Sequence, residues 1–167
     1  YQWGRGSDGH ELINWTGSNS ATAVNTNTAT LATSSVPGHS NFITQTLNNG
    51  TTDWLATPAD NDRWQGVSGG NNPCPSGYRV PTQSEVQAEV TAYSMTKSTK
   101  MYGDVLRIPA TPSRYWVTSA FSLGYSGYLW TSTLQGSKGV YFYFTTSSQG
   151  TNALNNGYAM PVRCIKD

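Results

Sequence analysis

Asn72-Pro73-Cys74-Pro75-Ser76-Gly77-Tyr78-Arg79-Val80-Pro81-Thr82, followed by Gln83-Ser84-Glu85, is the most informative stretch of this chain. Its opening is built of turn formers around one cysteine. Thr82 is a good helix N-cap, and Glu85 stands three residues later, the capping-box arrangement. Val86, Val90 and Tyr93 continue at helical spacing. This pattern predicts a helix over roughly 83–93, entered from a proline-ended turn.

Downstream of that helix the signal becomes β. Residues 104–109 (DVLRIP) read as a short apolar strand. Tyr115–Ser119, Tyr128–Ser132 and Val140–Thr145 read as three more, and Met160–Ile165 as the last. In Val140–Thr145 the residues alternate: with Phe142 and Phe144 inward, Tyr141, Tyr143 and Thr145 face outward. Those tyrosines are either contact residues or covered by another element. Upstream, residues 1–52 are rich in Ser, Thr, Asn and Ala. The stretch 18–35 is nearly low-complexity and reads as an extended surface insert. Residues 53–72 are polar, aromatic and turn-rich. A second short helix is expected somewhere in the first half. The fold class is therefore α+β within a single domain, 1–167.

Composition narrows the function. Only 11% of residues are charged, against about 25% for an average globular chain. Six Trp and ten Tyr stand among abundant Ser, Thr, Asn and Gly, and the net charge is +1. No Lys/Arg run offers a footprint for nucleic acid or a polybasic membrane patch. No apolar stretch reaches the length of a membrane span, so direct membrane insertion is not expected. The chain opens on Tyr1 rather than Met, as a trimmed fragment would. Cys74 and Cys164 form no metal spacing. They read either as a disulfide closing a long loop or as two free buried thiols, and the secreted-type composition favours the former.

Catalytic constellations are missing. His10 and His39 lie in no metal-ligand spacing and read as polar loop residues. No nucleophile elbow, P-loop or dinucleotide fingerprint occurs. Asp60 and Asp62 are weak candidates for a metal or an acid–base pair, but Asp-Asn-Asp is also ordinary turn chemistry. The expectation is a protein that is not an enzyme, with no cofactor.

Asp60–Thr82 (DNDRWQGVSGGNNPCPSGYRVPT) and Pro161–Asp167 (PVRCIKD) resemble the Fibrobacter succinogenes major paralogous domain family. Tyr1-Gln2-Trp3-Gly4 resembles its early Y-x-W-G element, and Tyr128–Thr133 its W-S-S-T element. The insert at 18–35 lies outside this pattern. The family is similar to the formylglycine-generating-enzyme branch of the C-type lectin fold. The resemblance implies a C-type-lectin-like fold with short twisted antiparallel strands, one or two helices and long irregular loops. It also implies that Cys74 and Cys164 are the scaffold pair. No cysteine then remains for the redox-active pair of the generating enzymes, and the calcium-lectin sugar motifs are absent.

The same branch contains the variable proteins of diversity-generating retroelements, whose last forty-odd residues form a diversified binding face. Residues 115–164 resemble such a region, with Asn and Tyr prominent. The resemblance implies a ligand- or receptor-binding module on a bacterial cell or phage surface. Its partner would be an unknown protein or glycan on a host or neighbouring cell. Alternatives are a structural adhesin, pilus or fibre domain, and a metal-dependent enzyme of the generating branch. Expected contacts are Tyr125, Tyr128, Trp130, Leu134, Gln135, Lys138, Tyr141, Tyr143, Thr145, Gln149, Asn152, Leu154, Asn155, Asn156 and Tyr158. All but Tyr125, Tyr128 and Trp130 fall on the Val140–Thr145 strand and on loops expected at 133–139 and 146–158.

Overall fold

The computed structural model describes residues 1–167 except 18–19, 45–52, 58–61, 95–97, 104–105, 123 and 125, and the side chains of 98–100. The first part of the chain carries β1 (Ile13–Gly17), β2 (Ser20–Ala23), β3 (Asn27–Thr28), β4 (Phe42–Ile43) and β5 (Tyr78–Arg79). Helices α1 (Gln83–Ala92) and α2 (Ser98–Gly103) follow. The chain then runs through β6 (Ser113–Arg114), β7 (Phe121–Ser122), β8 (Gly127–Gln135), β9 (Lys138–Phe144), β10 (Gln149–Leu154) and β11 (Ile165–Lys166). The architecture is α+β. Its largest sheet is antiparallel, in the order β10-β9-β8, and the other strands pair two by two. One of those pairs, β3 with β4, is parallel rather than antiparallel.

The capped helix forms as the sequence expects. The Thr82 side chain accepts from the Glu85 amide while the Glu85 carboxylate accepts from the Thr82 amide at 2.8 Å. Arg79 adds a fork, donating to the two Glu85 oxygens at 2.8 and 2.6 Å. This fork fastens β5 to the start of α1. The α1 N-terminus also rests on the sheet, since the Gln83 amide donates to Thr133 Oγ1 and the Gln83 side chain to Thr151 Oγ1. The second helix, α2, follows the first rather than lying in the first half.

Several expected strands take other forms. Among the described residues of 104–109 there is no strand: Arg107 has φ +48, and the Ile108 amide donates to Met101 O at 2.8 Å, folding the run back onto α2. A left-handed residue breaks the pleat that a strand needs. Residues 115–119 turn between β6 and β7, with Ser119 at φ +57 and its amide bonded to Tyr115 O. Met160–Cys164 makes single bonds to other segments, and only Ile165–Lys166 pairs, with β5. Pro161 has no N–H to give to a ladder. Conversely, most of 133–139 is strand. β8 and β9 run up to a tight turn at Gly136 (φ +62) and Ser137. The expected loop at 146–158 contains β10, whose Gln-Gly-Thr-Asn-Ala-Leu is stranded because it lies against β9 in full register. The low-complexity stretch is anchored as well as exposed. It carries β2 and β3, and Ala32 is buried, exchanging backbone bonds with Trp54 and Ala56.

The β8–β9–β10 sheet separates two cores. On the α1 face, Leu129, Phe142 and Phe144 meet Val90, Met101 and Ile108. Gly127 permits this packing, because a Cβ there would overlap the Phe144 ring. On the other face Trp130 joins Trp3, Trp64, Val80 and Met160. Gly139 is needed here too: a Cβ would stand 2.5 Å from Trp3 Cδ1. A third cluster gathers Ala32, Ile43, Trp54 and Leu55. Every buried indole N–H of these clusters has a carbonyl acceptor: Trp3 on Thr131, Trp54 on Trp3, Trp64 on Arg5 and Trp130 on Tyr1. A buried indole thus adds its apolar area without stranding a donor.

Candidate ligand-binding face

The face of the sheet opposite α1 changes character along β9. At its Gly139 end it is sealed by Trp3, and toward Tyr143 it opens. In antiparallel pairing, opposed residues share a face. Tyr143 stands between Tyr128 and Gly150, and Tyr141 between Trp130 and Asn152. The rings form a continuous set. Tyr128 lies 6.1 Å from Tyr141, Tyr141 lies 6.2 Å from Tyr143, and Trp130 meets Tyr141 edge-on at 6.0 Å. Gly150 leaves room for the Tyr143 ring, since a Cβ there would fall 3.0 Å from its hydroxyl.

A second aromatic group extends this one. Tyr158 contacts Tyr115 edge-on at 5.3 Å and Trp116 at 6.3 Å. Burial pushes the Tyr158 phenol up, although a hydrogen bond with Trp116 pulls the other way. Burial also raises Tyr141, reinforced by the neighbouring Tyr128, Tyr143 and Tyr158 phenols. The Tyr141 and Tyr158 hydroxyls stay protonated at neutral pH, so they offer rings and neutral O–H groups rather than charge.

The expected contacts divide by position. Tyr128, Tyr141, Tyr143 and Tyr158 are half-buried and brought together, with Asn152 exposed beside them. The outward tyrosines are thus partly covered by neighbouring rings and partly open. Leu134 and Leu154 are half-buried against the tryptophan core. Gln135 and Lys138 are exposed and paired at the hairpin tip. Gln149 lies at the other end, opposite Phe144. Seven residues of strand put these two ends about 20 Å apart, so the fifteen residues do not form one contact point.

Three of the expected contacts are structural. Trp130 is fully buried, and its indole N–H is spent on Tyr1 O at 2.9 Å. Asn156 is 1% exposed; its Nδ2 donates to Asp53 Oδ2 at 2.7 Å and Ser137 O at 3.1 Å, and its Oδ1 accepts from the Gly139 amide at 2.7 Å. Thr145 Oγ1 accepts from the Ser147 and Ser148 amides and so shapes the β9–β10 turn. Asn155 is half-buried, with its carbonyl closing a turn to the Tyr158 amide. Tyr125 lies outside the described residues. Tyr115, which is exposed, and the buried Trp116 beneath it were missing from the expected contacts. An adjacent aromatic pair followed by Val, Thr and Ser was the available signal, but it was taken for strand.

The scaffold beneath the face is polar as well as aromatic. Asp53, completely buried, accepts from both terminal nitrogens of Arg63 at 3.2 and 2.6 Å. The Arg63 guanidinium lies over Trp3 and Trp54 at 5.2 and 5.3 Å. Asp53 thus joins the Arg63 segment to the β9–β10 region through Asn156. Cys74 and Cys164 are disulfide-bonded across a sequence separation of 90, beside the β5–β11 pair. Such a bond persists in an oxidising compartment.

Asp60 lies outside the described residues. Asp62 is exposed, and its carbonyl accepts from the Gln65 amide in a turn. Among the described residues, Asp8, His10 and Glu11 hold their ligand atoms within 4.8 Å of one another. His10 is not an open loop residue: it is 1% exposed, and burial pushes it down to about 4. Its Nε2 accepts from the Gln2 amide at 2.9 Å, which leaves Nδ1 to donate to Asp8 at 2.7 Å. With both nitrogens engaged, the imidazole has no lone pair to offer a metal. In comparison with known proteins, the chain matches no family model, no curated protein and no solved structure.

Proposed function

We propose that this chain is a ligand- or receptor-binding module displayed on a bacterial cell or phage surface, acting by recognition rather than catalysis. Its binding face is centred on Tyr128, Tyr141, Tyr143 and Tyr158, flanked by Tyr115 and Asn152 and backed by the buried Trp116. The observation that carries this reading is the run of half-exposed tyrosine rings side by side on an open sheet face. Tyr supplies large contact area and a hydroxyl with few rotors to freeze, which suits protein or glycan recognition. The disulfide and the Trp–Arg–Asp scaffold hold that face independently of the residues upon it. This reading takes the fold as C-type-lectin-like, the family as the Fibrobacter succinogenes major paralogous domain, and the location as extracellular. It extends to diversification by a retroelement, for which the outward Tyr and Asn positions are the substrate. With both cysteines in one disulfide, no thiol remains for the chemistry of the generating enzymes.

The test is binding of the purified chain to glycan and protein arrays, beside a Tyr141→Ala/Tyr143→Ala double variant and a Tyr102→Ala control. Tyr102 is exposed, on α2. Specific hits should vanish in the double variant and persist in the control. Hits that survive in a folded double variant place recognition elsewhere and overturn the reading. For diversification, the coding DNA should lie near a template repeat differing only at adenines.

A further inference from the structure

A buried cation with no acid among the described residues to balance it stands beside the tyrosine face rather than on it. Arg114, in β6, is 4% exposed. Its Nε donates to Ser119 O at 3.2 Å and its Nη2 to Asn27 Oδ1 at 2.7 Å, while Nη1 has no hydrogen-bond partner. The guanidinium is stacked 3.9 Å from the Phe42 ring centre and lies 5.4 Å from that of Phe121. Desolvation alone drives its pKa down, to about 10, with no carboxylate to hold it up. Burying a guanidinium without a carboxylate partner is unfavourable, and the two aromatic contacts offset only part of that cost.

Arg114 lines a cavity of about 300 Å³. Ile13, Phe121, Met160 and Val162 make its walls apolar, and Trp15, on the β1–β2 hairpin, stands on its lining 55% exposed. Glu11 is the acid on this wall, and its oxygens are engaged by the Ser7 hydroxyl at 2.6 Å and the Gly9 amide at 2.9 Å. The Tyr1 amino group is turned onto Met160 O at 2.9 Å, and His10 is engaged by Gln2 and Asp8. Arg114 is therefore the cation on this lining that keeps a donor, Nη1, without a partner.

We propose that this cavity is a second ligand site, which takes a carboxylate carried on a ring: the carboxylate on Arg114 and the ring against Trp15. An aromatic acid and an acidic sugar share that chemistry, since both present a flat or CH-rich face to an indole and an anion to a guanidinium. The inference does not depend on the tyrosine face.

The experiment is an amide and indole NMR titration of the intact chain with benzoate and with glucuronate, each beside its neutral twin, benzamide and glucose. Saturable shifts at the Trp15 indole are expected for at least one acid, with its neutral twin about tenfold weaker or more. Response to benzoate alone assigns an aromatic acid, and response to glucuronate alone an acidic sugar. Trp15→Ala, exposed and compatible with folding, should weaken binding, as should Arg114→Lys, which keeps the charge but loses the planar fork. If Arg114→Lys does not fold, the acid-against-neutral comparison and Trp15→Ala decide. Acids that bind no better than their twins, or unchanged binding in folded Trp15→Ala, overturn the proposal.

Discussion

Replacing Asn156 by alanine separates scaffold from binding face most sharply. Its amide makes three bonds, two of them buried, to Asp53 Oδ2 and the Gly139 amide, and one at the edge, to Ser137 O. The bond to the Asp53 carboxylate is charge-assisted and contributes about 1.5–3 kcal/mol. Gly139 is buried beneath Trp3, so its N–H has no route to water once Asn156 Oδ1 is gone. A stranded buried donor costs a further ~1–3 kcal/mol. The Ser137 carbonyl belongs to an exposed residue and can turn to solvent. The expected loss is therefore about 3–5 kcal/mol, or on the order of 10 °C in Tm for a chain of this size. Urea unfolding with the disulfide intact measures it, beside Asn152→Ala, which removes an exposed side chain of the same type from the candidate face. Asn152→Ala should stay within about 0.5 kcal/mol. A loss at Asn156 below about 1 kcal/mol would refute the clamp. So would an Asn156→Ala protein of wild-type stability that has lost ligand binding.

Three further outcomes are expected. Reducing Cys74–Cys164 should destabilise the fold by about 4–5 kcal/mol on loop entropy, read as a drop in the urea midpoint; a shift of under about 1 kcal/mol contradicts this. The Arg79 fork holds the Glu85 carboxyl down to about 2 from its ordinary 4.5. The stabilisation it gives should be complete above about pH 4.5 and disappear as pH falls through about 2. In acid titrations the difference between wild type and Glu85→Gln should shrink across that window, and a constant difference would argue against the fork. In the alkaline ultraviolet titration, Tyr141 and Tyr158 should ionise above the ordinary tyrosine value, because burial raises both; Tyr141→Phe should remove part of the late rise, and an unchanged late phase counts against the packed ring set.

What the sequence by itself determined was local. The helix that begins after Thr82 was legible because its cap and Glu85 are three residues apart and need no distant partner. The split of β9 into inward Phe142 and Phe144 and outward Tyr141 and Tyr143 follows from a two-residue period that any strand must obey. The long-range pairing of Cys74 with Cys164 was within reach because the chain has only two cysteines.

Tertiary structure decided the rest. β10 has a weak strand composition and becomes a strand through its ladder with β9. Asn152 and Asn156 are chemically identical, yet one is exposed and the other buried, because Asp53, 103 residues away in sequence, lies against only one of them. The same holds for Trp130, whose burial depends on Trp3 and Tyr1, and for Arg114, whose solitude depends on Phe42 and Asn27. Periodicity and capping report the shape of a segment. Whether a polar or aromatic side chain serves the scaffold or a ligand depends on which remote atoms satisfy it, and only the folded chain brings those atoms together.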